Sequence, residues 1–390
     1  MWRGRMAWLL VAGILGWASN SPVAAQEDRD EGSARGRGSD WTIAEQQPGS
    51  ASAAPPTQRG TIIISPGVEF KRSSYVFQKL PANAPVDPRS NVWVGSLVNQ
   101  IAEFYGTATV NFTSYSPPVY IAAKDTPTVK VLAARASDPS WTAPGLQSQF
   151  LDVPLPSGFA PSAGTDEEAV VYQPSTGRYW EFWLMEPTGA KTTNSVGQSV
   201  PQWRAGWGGQ IAELGANPGY FHTTAQDLKY GTAATGLALL GGLMTIAEQK
   251  RGVIEHALHI ALPKTRSAIW ALPARRTDGT VTDPTAIPEG TTFRIPASLN
   301  LNAIDMDPYA RMLARAAQTY GLVVRDTAGA VAFYAENPSG MPGPDPYWGP
   351  GGILGCPSSG AVPSCYPDSN NRLRGFPWAQ LVAIRAILEP

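Results

Sequence analysis

Short stretches of alternating apolar and polar residues recur along this 390-residue chain, separated by turns rich in Gly and Pro. A period of two is typical of β-strands that bury one face. The strands predicted in this way are 109–115, 119–123, 129–134, 169–172, 179–184, 203–211, 254–262, 267–272, 322–326 and 330–335. The connections 173–177 and 327–329 are short enough for hairpins. We therefore predict a mainly β fold, an antiparallel β-sandwich of the jelly-roll type with a few short helices.

The few predicted helices have clear start and stop signals. Trp93, Leu97 and Ile101 lie four residues apart in a segment that ends at Gly106. A second helix begins at Asp307-Pro308 and ends at Gly321, and residues 246–251 form a single turn. We interpret Asp307 as a helix cap, because the glycine and terminal glutamate of a calcium loop are missing there.

The N-terminal pattern predicts export. Arg3 and Arg5 precede a short apolar run, and Val23-Ala24-Ala25 offers small residues for cleavage. We predict a signal peptide over residues 1–25, a disordered leader over 26–58, and a single β-sandwich domain with a C-terminal disulfide loop over 59–390. The mature chain has no membrane-spanning stretch, so we expect a secreted or periplasmic protein.

The net charge indicates which partners to expect, and the cysteine content indicates the redox state of the thiols. The net charge is −1 and no basic stripe stands out, which argues against nucleic acid as a partner. Cys356 and Cys365 are the only cysteines and share a Gly/Pro/Ser-rich segment. In an exported protein they predict a local disulfide, since a metal pair would need further Cys or His nearby.

The run 179–183, Tyr-Trp-Glu-Phe-Trp, is the strongest candidate for chemistry. On a strand Tyr179, Glu181 and Trp183 share one face, while the residues between them form an apolar core face. Aromatic rings stack on pyranose faces and a carboxylate can transfer protons, so this pattern is typical of a sugar-binding groove. The structural alternative is a half-buried glutamate paired with an arginine on the next strand.

Two further strands carry candidate site residues. In 254–262, Glu255 and His259 share a face with small alanines, which predicts a groove floor. In 203–211, Trp203 and Trp207 share one face and Arg204 lies on the other. The predicted substrate-binding residues are Tyr179, Trp183, Trp203, Trp207 and Arg204. We expect no cofactor and no metal, because His256 and His259 point to opposite faces of a strand.

These residues favour an exported carbohydrate-active protein that degrades polysaccharides. As a glycoside hydrolase it would use Glu181 and Glu255 as acid and as nucleophile or base. As a polysaccharide lyase it would use His259 or Tyr179 as the base, with Arg204 or Arg275 neutralising a uronate. The alternative is a non-catalytic glycan-binding or cell-surface interaction module, and a structural envelope protein is a third class.

Four runs carry a resemblance to known proteins: 179–183, 203–209, 234–243 and 255–258. Over roughly residues 150–335 the chain resembles a group of exported bacterial proteins of unassigned function. That resemblance implies a β-sandwich and brings no established activity. The aromatic and acidic face is also similar to that of laminarinase-type and alginate-lyase-type jelly rolls. The chain lacks the Glu-x-Asp-x-x-Glu strand pattern of the laminarinase family, so no family residues are transferred.

Overall fold

Strands outnumber helices in the part of the chain that the structure, a computed structural model, describes. The described residues are 63–65, 68–138, 141, 145–222, 230–341, 343, 345–347, 352–354 and 372–390. They all belong to one compact unit, Trp41–Pro390. The predicted signal peptide, the predicted leader to residue 58, and Cys356 and Cys365 lie outside the described residues.

The strands of the described residues are β1 (Ile63–Ser65), β2 (Val68–Glu69), β3 (Thr109–Asn111), β4 (Val119–Ile121), β5 (Leu132–Ala133), β6 (Ala169–Gln173), β7 (Arg178–Thr193), β8 (Ser199–Ile211), β9 (Leu258–Leu262), β10 (Trp270–Ala271), β11 (Thr292–Arg294), β12 (Leu322–Thr327), β13 (Ala332–Tyr334), β14 (Val382–Ala383) and β15 (Leu388–Glu389). The helices are α1 (Ser90–Glu103), α2 (Leu146–Gln149), α3 (Ile246–Arg251) and α4 (Pro308–Thr319). Short 3₁₀ turns lie at Tyr75–Phe77, Leu214–Ala216, Leu239–Gly242, Leu301–Ala303, Pro338–Gly340 and Trp378–Gln380.

Two larger sheets organise the fold. One has the strand order β4-β6-β7-β8-β5 and the other the order β14-β11-β12-β9-β13-β3. Two small sheets pair β1 with β2 and β10 with β15. The mainly β prediction is confirmed, but both larger sheets are mixed, since β4/β6, β5/β8, β9/β12 and β3/β13 run parallel. Parallel neighbours need long crossover connections, and the segment between β9 and β12, which contains α4, is one of them. Antiparallel pairing throughout is therefore wrong.

One predicted hairpin is present and the other is not. Strands β6 and β7 pair antiparallel around the tight turn at Gly177, as the spacing predicts. Strands β12 and β13 do not pair, because β9 lies between them, parallel to β12 and antiparallel to β13. The short connection after β12 crosses the end of β9, where the Ala328 amide donates to the Leu262 carbonyl. A short connection keeps two strands close together, but it does not determine whether they are hydrogen-bonded neighbours in the sheet.

Helices α1 and α4 form where their signals place them and pack on one face of the six-stranded sheet. Asp307 caps α4 by accepting from the Tyr309 amide, and Pro308 opens the helix. Apolar residues of α1 and α4 share a buried cluster with Leu258, Ile260 and Leu262 of β9. Ala261, on the opposite face of β9, belongs to a second cluster formed largely by the five-stranded sheet. Among the described residues no helix has the length and apolarity needed to cross a membrane.

Candidate functional site

Glu181 lies in the interior, between β7 and the segment 232–239, with 0% of its surface exposed. Its Oε2 atom accepts from the Tyr179 hydroxyl at 2.6 Å and from the Leu239 amide at 2.9 Å. Its Oε1 atom accepts from the Thr232 amide at 2.6 Å and the Thr232 hydroxyl at 3.0 Å. Each oxygen therefore has two donors, which fills its lone-pair positions. The carboxylate fastens the segment 232–239 to β7.

The electrostatics of this group fit a structural role. Burial raises the pKa of Glu181, and the hydrogen bonds from Tyr179, Leu239 and Thr232 oppose that rise. Burial and the charge of Glu181 raise the pKa of Tyr179 well above its usual range, so the phenol stays protonated and donates a hydrogen bond to the carboxylate. The expected groove acid and the ring predicted to bind substrate are thus both interior groups. This matches the structural alternative, with hydroxyl and amide donors in place of the expected arginine.

His259 on β9 packs against the 3₁₀ turn Leu239–Gly242, which continues the segment 232–239. Its Nε2 atom lies 2.9 Å from the Tyr75 hydroxyl, and the side chain is fully buried. A Cβ atom on Gly242 would lie 2.1 Å from the imidazole Cγ, so only glycine fits beside the ring. Burial, and then the charge of Arg325, lower the pKa of His259 well below its usual range. The imidazole is therefore a neutral, enclosed group and not the floor of an open groove.

Glu255 does not share a strand face with His259. Strand β9 begins at Leu258, so the predicted strand 254–262 is four residues too long at its start. The Glu255 side chain is 61% exposed and its Oε2 lies 3.7 Å from Arg251. It lines a surface depression together with Lys79 and Arg315. Glu181, Glu255 and His259 therefore do not open into one cleft. Glu181 and His259 are buried on strands of different sheets, and Glu255 lies in the turn before β9, where the alternation of strand faces does not apply.

Two other predicted binding residues lie farther along the β7–β8 pair. The Arg204 Nε atom donates to Glu186 on the neighbouring strand at 2.9 Å, and both side chains are partly exposed. Trp203 is partly exposed and packs edge-on against Phe159, with ring centroids 5.1 Å apart. Arg204 thus has a partner within the sheet, and Trp203 keeps some of its surface in solvent.

Partly exposed aromatic rings gather where β7 and β8 face each other. Trp183 and Trp207 are direct partners in the ladder. The Trp141 ring meets the Trp207 ring edge-on at 6.2 Å, and the Arg135 guanidinium lies 4.4 Å from the Trp141 ring and 5.4 Å from the Trp183 ring. The Trp183 indole donates to Asp166 at 3.1 Å. We call Arg135, Trp141, Trp183 and Trp207 the aromatic patch. The sequence pattern pointed to Trp183 and Trp207 but not to the two residues from the segment between β5 and α2.

A second cluster was not predicted at all. Carboxylate oxygens of Asp278, Glu289 and Asp326 all lie within 4.8 Å of one another. Burial, and then the charge of Asp278, raise the pKa of Asp326 to about 7. Asp278 is exposed, Glu289 is buried and Asp326 is intermediate. We call these three residues the carboxylate triad. They come from three separate segments, and the sequence signal is weak: Asp278 and Glu289 each precede a glycine.

The comparisons with known proteins add no relative. No protein-family model, no curated protein and no solved structure matches the chain. The resemblance to exported bacterial β-sandwich proteins therefore stays a prediction, and function has to be argued from the geometry of the site.

Proposed function

We propose that this protein binds glycan chains on the aromatic patch, as an exported glycan-binding or cell-surface interaction module. The observation that carries the proposal is the pair Trp183 and Trp207, which lie directly opposite each other and are both partly exposed. Trp141 and Arg135 extend the same surface. A polysaccharide partner and a secreted or periplasmic location belong to the same proposal.

The chemistry of the patch suits a sugar ring. Indole faces offer apolar area to the C–H face of a pyranose, while polar groups at the edges can bond its hydroxyls. Asp166 holds the Trp183 indole through a 3.1 Å hydrogen bond, which restricts the rotation of the ring. Arg135 lies beside two rings and contributes donors at the edge of the patch. A rigid aromatic surface binds with a smaller loss of conformational entropy than a mobile one.

Binding is favoured over cleavage because the predicted catalytic groups do not meet. A glycosidase places two carboxyl groups about 5–9.5 Å apart on either side of the bond that it breaks. Glu181 has 0% of its surface exposed, whereas Glu255 is exposed and contacts Arg251. The lyase hypothesis also lacks accessible catalytic groups, because His259 is enclosed beside Tyr75 and Arg204 is paired with Glu186. The similarity to laminarinase-type and alginate-lyase-type jelly rolls concerns architecture alone and does not indicate an activity.

The test is affinity for a panel of soluble polysaccharides, measured on variants of the patch. Truncating a central aromatic residue at a binding surface costs about 2 kcal/mol, or about 30-fold in Kd. We expect Trp207→Ala and Trp183→Ala each to weaken binding by about that factor, and Trp183→Phe to weaken it much less. Trp270→Ala is the matched control, because Trp270 is partly exposed but lies on β10. Equal losses in all variants would contradict the proposal.

Cleavage is tested on the same panel by mass spectrometry of the incubated sugars. The binding function predicts intact polysaccharide after incubation with wild-type protein. Shortened or unsaturated products would restore the polysaccharide-degrading hypothesis, and their structures would separate hydrolase from lyase chemistry.

A further inference from the structure

The carboxylate triad brings three acids from distant parts of the chain to one place. Asp278 lies in the loop after β10, Glu289 lies just before β11, and Asp326 lies near the end of β12. Their oxygens are within 4.8 Å of one another. Carboxylates this close repel each other unless they share protons or a cation neutralises them.

The most buried member of the triad has an oxygen that accepts no hydrogen bond from the described residues. Glu289 is 0% exposed, and its Oε2 atom accepts from the Asp278 amide at 3.3 Å. Among the described residues its Oε1 atom accepts no hydrogen bond, although this oxygen is itself buried. A buried carboxylate oxygen without a partner is costly. It therefore indicates a ligand that the protein chain alone does not supply.

Two threonine hydroxyl groups beside the triad also favour a bound ligand. The Thr265 hydroxyl is buried and has no hydrogen-bond partner among the described residues. It lies beside Gly279, where a Cβ atom would come within 2.7 Å of its Oγ1 atom. The Thr327 hydroxyl lies 3.0 and 3.1 Å from the two oxygens of Asp278 and fixes that carboxylate. The triad is thus held by its surroundings, with a second unpartnered oxygen nearby.

Two guanidinium groups, of Arg276 and Arg325, lie close enough to the triad for the charge of Asp326 to act on both. Arg276 donates to the carbonyls of Gly231 and Ala233 at 2.8 and 2.9 Å. The Arg325 guanidinium lies 3.5 Å from the centre of the Tyr334 ring. When the three carboxylates are ionised they carry more negative charge than the two guanidinium groups offset, so a cation bound there is electrostatically favoured.

We propose that Asp278, Glu289 and Asp326 form a calcium-binding site. Calcium takes hard oxygen ligands at about 2.3–2.6 Å, so two oxygens on one ion are separated by at most about 5 Å. The three oxygens lie within 4.8 Å of one another, which is inside that span. Magnesium demands near-octahedral geometry and gives up its waters reluctantly, so a site built from three protein carboxylates suits calcium better. The ion would join the loop after β10 to the start of β11 and the end of β12. This proposal does not depend on glycan binding.

The experiment is calorimetric titration of chelator-treated protein with calcium chloride, without any sugar, alongside the melting temperature. We expect one saturable site and a Tm rise of about 5 °C when calcium is about 100-fold above Kd. Magnesium chloride should bind at least about tenfold more weakly.

Variants distinguish the triad from other acids. Asp278→Asn and Glu289→Gln should each weaken calcium binding at least about tenfold, while the exposed Glu255→Gln leaves it unchanged. If Glu289→Gln fails to fold, Asp278→Asn decides, because Asp278 is exposed. No calcium binding up to about 10 mM, beyond the range of weak extracellular sites, would overturn the proposal. Undiminished binding by Asp278→Asn would overturn it equally.

Discussion

Glu181→Gln separates a structural carboxylate from a catalytic one. The amide keeps the size of the side chain but replaces one acceptor oxygen with an NH₂ group. In either orientation that NH₂ group faces a main-chain N–H, of Thr232 or of Leu239. A buried donor without a partner costs about 1–3 kcal/mol, and the remaining hydrogen bonds lose the strength that the negative charge gives them. Removing the buried charge offsets part of this loss. We therefore expect the free energy of unfolding to fall by about 2–4 kcal/mol.

Urea denaturation of wild type, Glu181→Gln and a control measures that difference directly. Glu186→Gln is the matched control, since Glu186 lies on the same strand and forms a partly exposed ion pair with Arg204. A pair of that kind contributes less than about 1 kcal/mol. If Glu181→Gln unfolds at the same urea concentration as wild type, the hydrogen-bond network around Glu181 does not hold the segment 232–239. The catalytic hypothesis predicts that outcome, with folding spared and turnover lost.

Two other predictions concern the interior. Gly242→Ala should destabilise the fold by about 1–3 kcal/mol in thermal or urea unfolding, because the added methyl group would lie 2.1 Å from His259 Cγ. The control Gly95→Ala should be neutral or stabilising, because no atom lies within 4 Å of its added methyl group. Similar losses of stability at both sites would contradict the described packing around His259. Burial, and then the charge of Glu248, raise the pKa of Glu336 to about 7. The protonated carboxyl group therefore contributes in full to the free energy of unfolding below about pH 4.5, and this contribution is lost as the pH rises through 7. Glu336→Gln should flatten the decline in stability between about pH 5 and pH 8, and an unchanged slope would show that another group causes it. His256 beside Glu248 has a raised pKa and contributes in the same direction.

The elements of this fold were easier to predict than their arrangement. Capping at Asp307-Pro308 located α4, and the turn at Gly177 located the β6–β7 hairpin, because both signals are local. The insertion of β9 between β12 and β13 depends on contacts distant in sequence, which alternation does not encode. The same limit applies to the predicted site. Alternation along the strand placed Glu181 on the face of Trp183, but alternation does not indicate which part of that face is covered by another segment, such as 232–239.

The aromatic patch shows where residue pattern succeeds and where it fails. Trp183 and Trp207 were each predicted from the alternation of residues along their own strand, and the pairing of β7 with β8, which was not predicted, places them opposite each other. Trp141, Arg135 and the carboxylate triad come from loops and strand ends, where position follows from tertiary contacts. A sequence signal for the triad exists only in the turns at Gly279 and Gly290. At Gly290 a φ of +83° and a carbonyl 1.7 Å from any added Cβ atom require glycine.

A crystal structure of the protein with the oligosaccharide that binds most tightly tests the central claim most directly. The glycan-binding function predicts a sugar ring stacked on Trp207 or Trp183, with hydroxyls bonded at the edges of the patch near Arg135 or Asp166. A sugar bound elsewhere, such as in the depression lined by Glu255 and Arg315, with the aromatic patch left bare, would contradict it.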